Sequence, residues 1–181
     1  MFKLRELKKK GQHIFGFVRC LRSGIQYKKG IYIGNNVHTT NGKNIELGEN
    51  VKIRPFCDIF GLKNMVIMDN CDIGTRNRIA GNVVIEKAVL IGPDNYICSY
   101  DHCFNDLSNP IMFQGTHSPK KNGHDHLRIG EGSWIGTHCA IIGDVHIGKH
   151  CVIGANSVVT KDIPDYCVAV GTPARIVKRL K

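Results

Sequence analysis

Aliphatic residues recur every six positions along most of this chain, and that period decides what the chain can fold into. Ile129, Ile135, Ile141, Ile147, Ile153 and Val159 form one unbroken run. Ile67, Ile73, Ile79, Ile85, Ile91 and Ile97 form another, and Leu47, Ile53 and Ile59 a shorter one. An amphipathic helix repeats every 3.6 residues and a half-buried strand every two, so neither yields a strict six. A parallel β-helix of hexapeptide units does. Each unit makes a short strand and a corner, with the aliphatic side chain pointing inward. Glycine often follows (Gly34, Gly48, Gly74, Gly92, Gly130, Gly136, Gly148 and Gly154), where the chain must turn in little space.

A second position supports the same geometry. Four residues after each aliphatic the side chain should again face inward and be small. The residues there are Cys57, Cys71, Val83, Val89, Ser133, Cys139, Val145, Cys151 and Ser157. Half of the eight cysteines thus occupy a slot for small side chains, which reads as core filling. No Cys-x-x-Cys pair is present, and at 181 residues the chain is long enough to bury a core without disulfides. Free thiols fit a reducing compartment. With neither a long apolar run nor a secretory h-region, the expected location is the cytoplasm.

The net charge of +10 lies at the ends. Residues 1–30 hold nine Lys/Arg against one acid, residues 171–181 hold four Lys/Arg, and the span between is slightly acidic. That is not the footprint of a nucleic-acid binder, which carries its basic face on the fold itself. The expected organisation is a basic N-terminal cap at 1–30, a β-helix at 31–170 and a basic tail or helix at 171–181. Residues 1–23 mix apolar and basic side chains. They read first as a cap over the open end of the solenoid; the same composition also suits a peripheral contact with anionic lipid.

The longest break in the period follows Ile97. Ile97 and Ile129 are 32 residues apart, and "CSYDHCFNDLSNPIMFQGTHSPKKNGHDHLR" between them (98–128) is polar, interrupted by Gly and Pro, and rich in histidine. A long excursion from a rigid scaffold is where function concentrates, so this loop is expected to project and form the acceptor site.

The repeats, closed by "SWIGTHCAIIGDVHIGKHCVIGANSVVTKDIPDYCVAVGTPARIVKRL", resemble the hexapeptide-repeat acyltransferases, and within them the maltose/galactoside and surface-polysaccharide O-acetyltransferase branch. The resemblance implies a left-handed β-helix with three hexads per turn, a homotrimer with sites between subunits, acetyl-CoA as donor, a sugar or glycan acceptor and no metal. It implies His102, in "YDHCFNDLSNPI", as the general base. An imidazole titrating near neutrality suits that task. Asp101 would orient the imidazole or solvate a turn. Trp134 would line the tunnel shared by pantetheine and acceptor, and the Thr137 N–H would face the thioester oxygen. Ala155 would lie against pantetheine, Thr160 and Lys161 near the nucleotide phosphates, and Gly171, Thr172 and Pro173 over the adenine. Lys178 or Arg179 would reach the 3′-phosphate. His117, His124 and His126 read as loop solvation or acceptor contacts, and His138, His146 and His150 as solvent-facing. The galactoside/maltose branch also carries a longer acidic N-terminal segment that this chain lacks.

Three other functions share the architecture: an N-acetyltransferase for nucleotide sugars, a zinc lyase of the γ-carbonic-anhydrase kind using histidines such as His146 and His150, and a catalytically silent scaffold.

Overall fold

The structure, a computed structural model, describes residues 11, 16, 18–117 and 124–181, with the backbone alone at His117. Expectations about the remaining N-terminal residues, and about Pro119 and Gly123 in the loop, lie outside these.

Three sheets run along a parallel β-helix. The first contains Gln26–Tyr27, Ile45–Leu47, Met65–Ile67, Val83–Ile85, Leu127–Ile129 and His146–Ile147. The second contains Tyr32–Ile33, Lys52–Ile53, Asp72–Ile73, Leu90–Ile91, Trp134–Ile135, Val152–Ile153 and Cys167–Gly171. The third contains His38–Thr40, Asp58–Gly61, Arg78–Gly81, Tyr96–Cys98, Ala140–Ile142 and Val158–Val159. The six-residue period is therefore one step around the triangle. Residues eighteen apart stack directly, as Ile67 under Ile85, Ile129 under Ile147, and Ile135 under Ile153. The earlier coils are two residues longer, with Leu47 paired to Ile67 and Ile59 to Ile79.

Every aliphatic of the two six-membered runs is almost fully buried, and so are all nine residues of the small-side-chain slot. Each buried Ile contributes about 1.5–3 kcal/mol by leaving water, so the column is the main source of stability. The slot is more than a space for small groups. Cys57 donates its thiol to the Gly74 carbonyl (3.0 Å) and Cys71 to that of Glu86 (2.9 Å). Ser133 and Ser157 donate to Gly148 (2.9 Å) and Gly154 (2.6 Å). The slot selects small size, filled by Val where no donor is needed and by Cys or Ser where a corner carbonyl accepts a side-chain hydrogen bond. None of the eight cysteines forms a disulfide, and burial pushes the Cys71 thiol up to about 11.

The same slot after the second sheet also holds two buried asparagines, Asn77 and Asn95. Asn77 accepts the Asn95 N–H (2.8 Å), and Asn95 accepts the Cys139 N–H (2.7 Å). Their amides donate to the Gly92 carbonyl, each at 2.8 Å. This ladder satisfies backbone groups that a corner would otherwise strand in the core.

The glycines after the aliphatics are required by the neighbouring coil. A Cβ on Gly74 would lie 2.6 Å from the Gly92 carbonyl carbon, and one on Gly136 would lie 2.7 Å from the Ala155 nitrogen. Backbone stacks on backbone at this corner, with no room for a side chain between.

At the N-terminal end, residues 18–23 are helical. Cys20 is buried in the same cluster as Ile31 and Ile33, and the Arg19 guanidinium donates to the Gly34 carbonyl. At the other end the structure corrects the expected helix. Ala174–Arg179 is a strand, antiparallel to Cys167–Gly171 at the edge of the second sheet. Gly171 (φ 103°) turns the chain back, and β-branched Ile176 and Val177 suit a strand that covers the last exposed edge. No described helix is long and apolar enough to cross a membrane.

Candidate active site

Ile85 pairs with Ile129, 44 residues on, where Ile67 and Ile85 are 18 apart. Twenty-six residues are thus inserted into one coil. Cys98 still belongs to the third sheet and Leu127–Ile129 to the first, so the excursion runs from Ser99 to His126. Its base is a two-stranded ribbon, Asp101–His102 against Thr116–His117, with Cys103 donating to the Gly115 carbonyl (3.0 Å). Its tip is tied by its own polar groups. The Asp106 carboxylate accepts from the Ser108 N–H (2.9 Å) and from Asn109 (2.6 Å), and Gln114 donates to the carbonyls of Asp106 and Asn109, both at 2.7 Å. The Ser108 and Asn109 donors hold the Asp106 carboxyl below the usual carboxylate range.

His102 is exposed on this ribbon. The Asp101 carboxylate accepts the backbone N–H of His102 at 2.8 Å, so its engagement is with the chain and not with the imidazole.

The second sheet and the corner after it gather most of the other candidates. Trp134 stands on the outer face between Leu90 and Val152 in register, half exposed. Two residues beyond the inward Ile135, Thr137 occupies the corner, its hydroxyl donating to the Pro93 carbonyl (2.9 Å). Among the described residues the Thr137 N–H makes no hydrogen bond. Its carbonyl accepts from Asn156 (2.9 Å), and Ala155 rests on Gly136 at the next corner. One level further, Gly171 donates to the Ser157 hydroxyl (3.1 Å) and Thr172 to the Asn156 carbonyl (3.2 Å). Thr137, Ala155 and the Gly171–Pro173 turn therefore form one continuous edge, with Trp134 on the adjoining face. Thr160 and Lys161 are exposed at a different corner, after Val158–Val159, and Lys178 is exposed on the final strand opposite Val168.

The histidines require a correction. His146, expected to face solvent, lies beneath the returning loop. Its ring is stacked on that of His124 (3.4 Å between centroids, 5° apart), and the ring of His126 tilts against it at 4.8 Å. His124 Nε2 lies 3.1 Å from Asp162 Oδ2, and the His124 N–H donates to the buried Asp144 carboxylate (3.2 Å). Burial, and then the nearby His124 and His126, hold the His146 pKa below the usual imidazole value. The signal was in the register: Arg128 pairs with His146, and His126, two residues before Arg128, falls on the same face. His138 and His150 are exposed, the latter stacked on Tyr166 at 5.5 Å. His146 and His150 do not converge, and among the described residues no group of three or more His, Cys, Asp or Glu side chains is placed to hold a metal ion.

The bacterial transferase hexapeptide pattern (six repeats) matches residues 126–161. The matched residues lie within the coils described above, from the end of the excursion to the last corner of the third sheet. Over 98 residues the chain is 40% identical to a probable acetyltransferase of Mycobacterium tuberculosis, covering 54% of this chain and 30% of that protein. It is 33% identical over 148 residues to a galactoside O-acetyltransferase of Lactococcus lactis, covering 75% and 63% respectively. The chain thus spans less than two thirds of the length of either relative. The solved structure of AntD, an N-acyltransferase from Bacillus cereus in complex with dTDP and 3-hydroxybutyryl-CoA, has the same fold. The TM-score is 0.74 at 22% identity, over 90% of this chain and 87% of that one.

Proposed function

We propose that this chain transfers an acetyl group from acetyl-CoA to a hydroxyl of a sugar or surface-polysaccharide precursor. The observation that carries the reading is the edge formed by Thr137, Ala155 and the Gly171–Pro173 turn. It is a row of backbone along which an extended pantetheine arm fits, with an open N–H at Thr137 where a thioester oxygen would gain negative charge. Trp134, half exposed beside it, supplies an apolar wall.

In this reading His102 removes the proton of the acceptor hydroxyl as its oxygen attacks the thioester carbonyl. The C–O bond forms, the Thr137 N–H stabilises the oxyanion, and the C–S bond then breaks. The imidazolium returns its proton to the departing CoA thiolate. General-base catalysis contributes about 10²–10⁴-fold. The basic side chains Lys161 and Lys178, with Thr160, are assigned to CoA phosphates, and the assembly is a cytoplasmic homotrimer. The likeness to relatives named as acetyltransferases and galactoside O-acetyltransferases supports the hydroxyl acceptor. The fold shared with a nucleotide-bound N-acyltransferase supports a second reading, in which the same groups serve a sugar amine.

The test is thiol release from acetyl-CoA across a panel of glycosides, nucleotide sugars and amino sugars, for wild type and His102→Ala. Acceptor-dependent release that falls by at least about 10² in the variant is expected. Failure to bind acetyl-CoA would overturn the proposal.

A further inference from the structure

The coils carry four arginines, and three are paired with carboxylates. Arg54 makes two hydrogen bonds to Asp72 (2.9 and 2.7 Å), Arg76 makes two to Asp94 (2.6 and 2.7 Å), and Arg128 reaches Glu86. Arg78 differs. It is exposed on the outer face of the third sheet and, among the described residues, its guanidinium has no hydrogen bond or ion pair, although Asp58 stands directly beside it in register.

Arg78 lines a cleft of about 410 Å³ with His38, Asp58, Phe60 and Tyr100. Phe60 and Tyr100 meet edge to face at 6.4 Å, and Phe60, two residues along the strand from Asp58, puts this aromatic wall beside the charged column on the same face. Tyr100 is also the root of the excursion, two residues before His102, about 7 Å of extended chain. An unpaired guanidinium presents a planar fork that matches a phosphoryl or carboxylate group with two parallel hydrogen bonds. The aromatic wall suits the apolar face of a sugar ring, and Asp58 and His38 can accept hydrogen bonds from its hydroxyls.

We propose that this cleft selects the acceptor: it binds a sugar bearing an oxyanion, phosphoryl or carboxylate, with Arg78 gripping that oxyanion while the rest of the sugar lies along Phe60 and Tyr100 toward the loop. The inference rests on the acyl-transfer reading for its role in catalysis, and on the cleft alone for its binding.

The experiment therefore has two arms. Calorimetric titration uses glucose 1-phosphate, glucuronate and methyl glucoside with wild type, Arg78→Gln and Arg78→Lys. Wild type is expected to bind one of the two anionic sugars at least about tenfold more tightly than methyl glucoside. Arg78→Gln should lose about 10–100-fold of that affinity, and Arg78→Lys, which keeps the charge and loses the fork, should recover only part. Which anion binds separates phosphoryl from carboxylate. In the activity arm, Arg78→Gln should raise KM for an anionic acceptor without moving KM for acetyl-CoA. If no acceptor supports thiol release yet anion binding still depends on Arg78, the transferase reading falls and the cleft stands. Equal binding of the anionic sugars by wild type and Arg78→Gln, or no preference over methyl glucoside, overturns the cleft whatever the activity arm returns.

Discussion

Two corners of the same solenoid have the same backbone and different fates. After the first sheet, a residue adopts the left-handed region at Asn50, Asn70, Ala88, Gly132 and His150; after the second, at Asn36, Arg76, Asp94, His138 and Asn156. At the first corner, carboxylates from neighbouring coils close three of the six equivalent backbone donors, while those of Lys29, Asp69 and Lys87 make no hydrogen bond among the described residues. The Asp69 carboxylate accepts the Glu49 N–H (2.8 Å), Asp165 accepts that of Lys149 (2.8 Å), and Glu86 accepts that of Glu131 (2.9 Å) while also holding Arg128. At the second corner the equivalent N–H groups of Asn35, Thr75, Thr137 and Ala155 make no hydrogen bond among the described residues, and Pro93 has none to offer. One corner has half of its donors closed by carboxylates, and the other has none closed. An exposed donor costs little in water, whereas in a site it is a preorganised dipole.

That contrast can be broken or sharpened by substitution. The largest effect is expected from the core that both corners share. Ile135→Ala removes a fully buried side chain and should destabilise the fold by about 2–5 kcal/mol, read as a shift in denaturant midpoint. A smaller loss would mean that the column does not dominate stability.

Next come the corner glycines. Gly48→Ala would place a Cβ 2.6 Å from the Asp69 nitrogen, and Gly136→Ala would place one 2.7 Å from the Ala155 nitrogen. Each should cost about 1–3 kcal/mol through overpacking. Only Gly136→Ala, which pushes on Ala155 and Thr137, should also raise KM for acetyl-CoA. If both variants change KM alike, the functional difference between the corners is wrong.

The smallest effect is expected at the first corner, where Glu86 closes one of the donors. Burial raises the Glu86 pKa, but the Arg128 side chain and the Glu131 N–H together outweigh it and hold the pKa below its usual value. A lowered folded-state pKa means that the stabilisation is present above the unfolded carboxyl value of about 4.5 and is lost as pH falls through the folded value. Glu86→Gln should cost about 1–2 kcal/mol at neutral pH, and the difference in melting temperature from wild type should shrink below about pH 4. A gap that stays constant with pH would mean the carboxylate charge is not what closes this corner.

The amino-acid sequence alone determined the solenoid. A strict six-residue period admits one way of burying every aliphatic, and the slot four residues later confirmed it, because both are local consequences of one repeating backbone. It also located the excursion, since an interrupted period is visible without a structure; Trp134, Thr137 and Ala155 came instead from the resemblance of its closing segment to a known family, and they lie along one edge and its adjoining face. What the sequence misread depended on contacts between distant segments. The tail from Ala174 is a strand because an unpaired sheet edge is waiting for it, not because of its own basic composition. His146 is covered because the returning loop lays His124 and His126 on its face. Arg78 is open because Asp58, its neighbour in register one coil away, does not pair with it, while Arg54 and Arg76 do pair with Asp72 and Asp94 on the next coil. Periodicity reports which way a side chain points; which partner meets it there is decided only when coils eighteen or more residues apart, and the loop between them, are stacked in space.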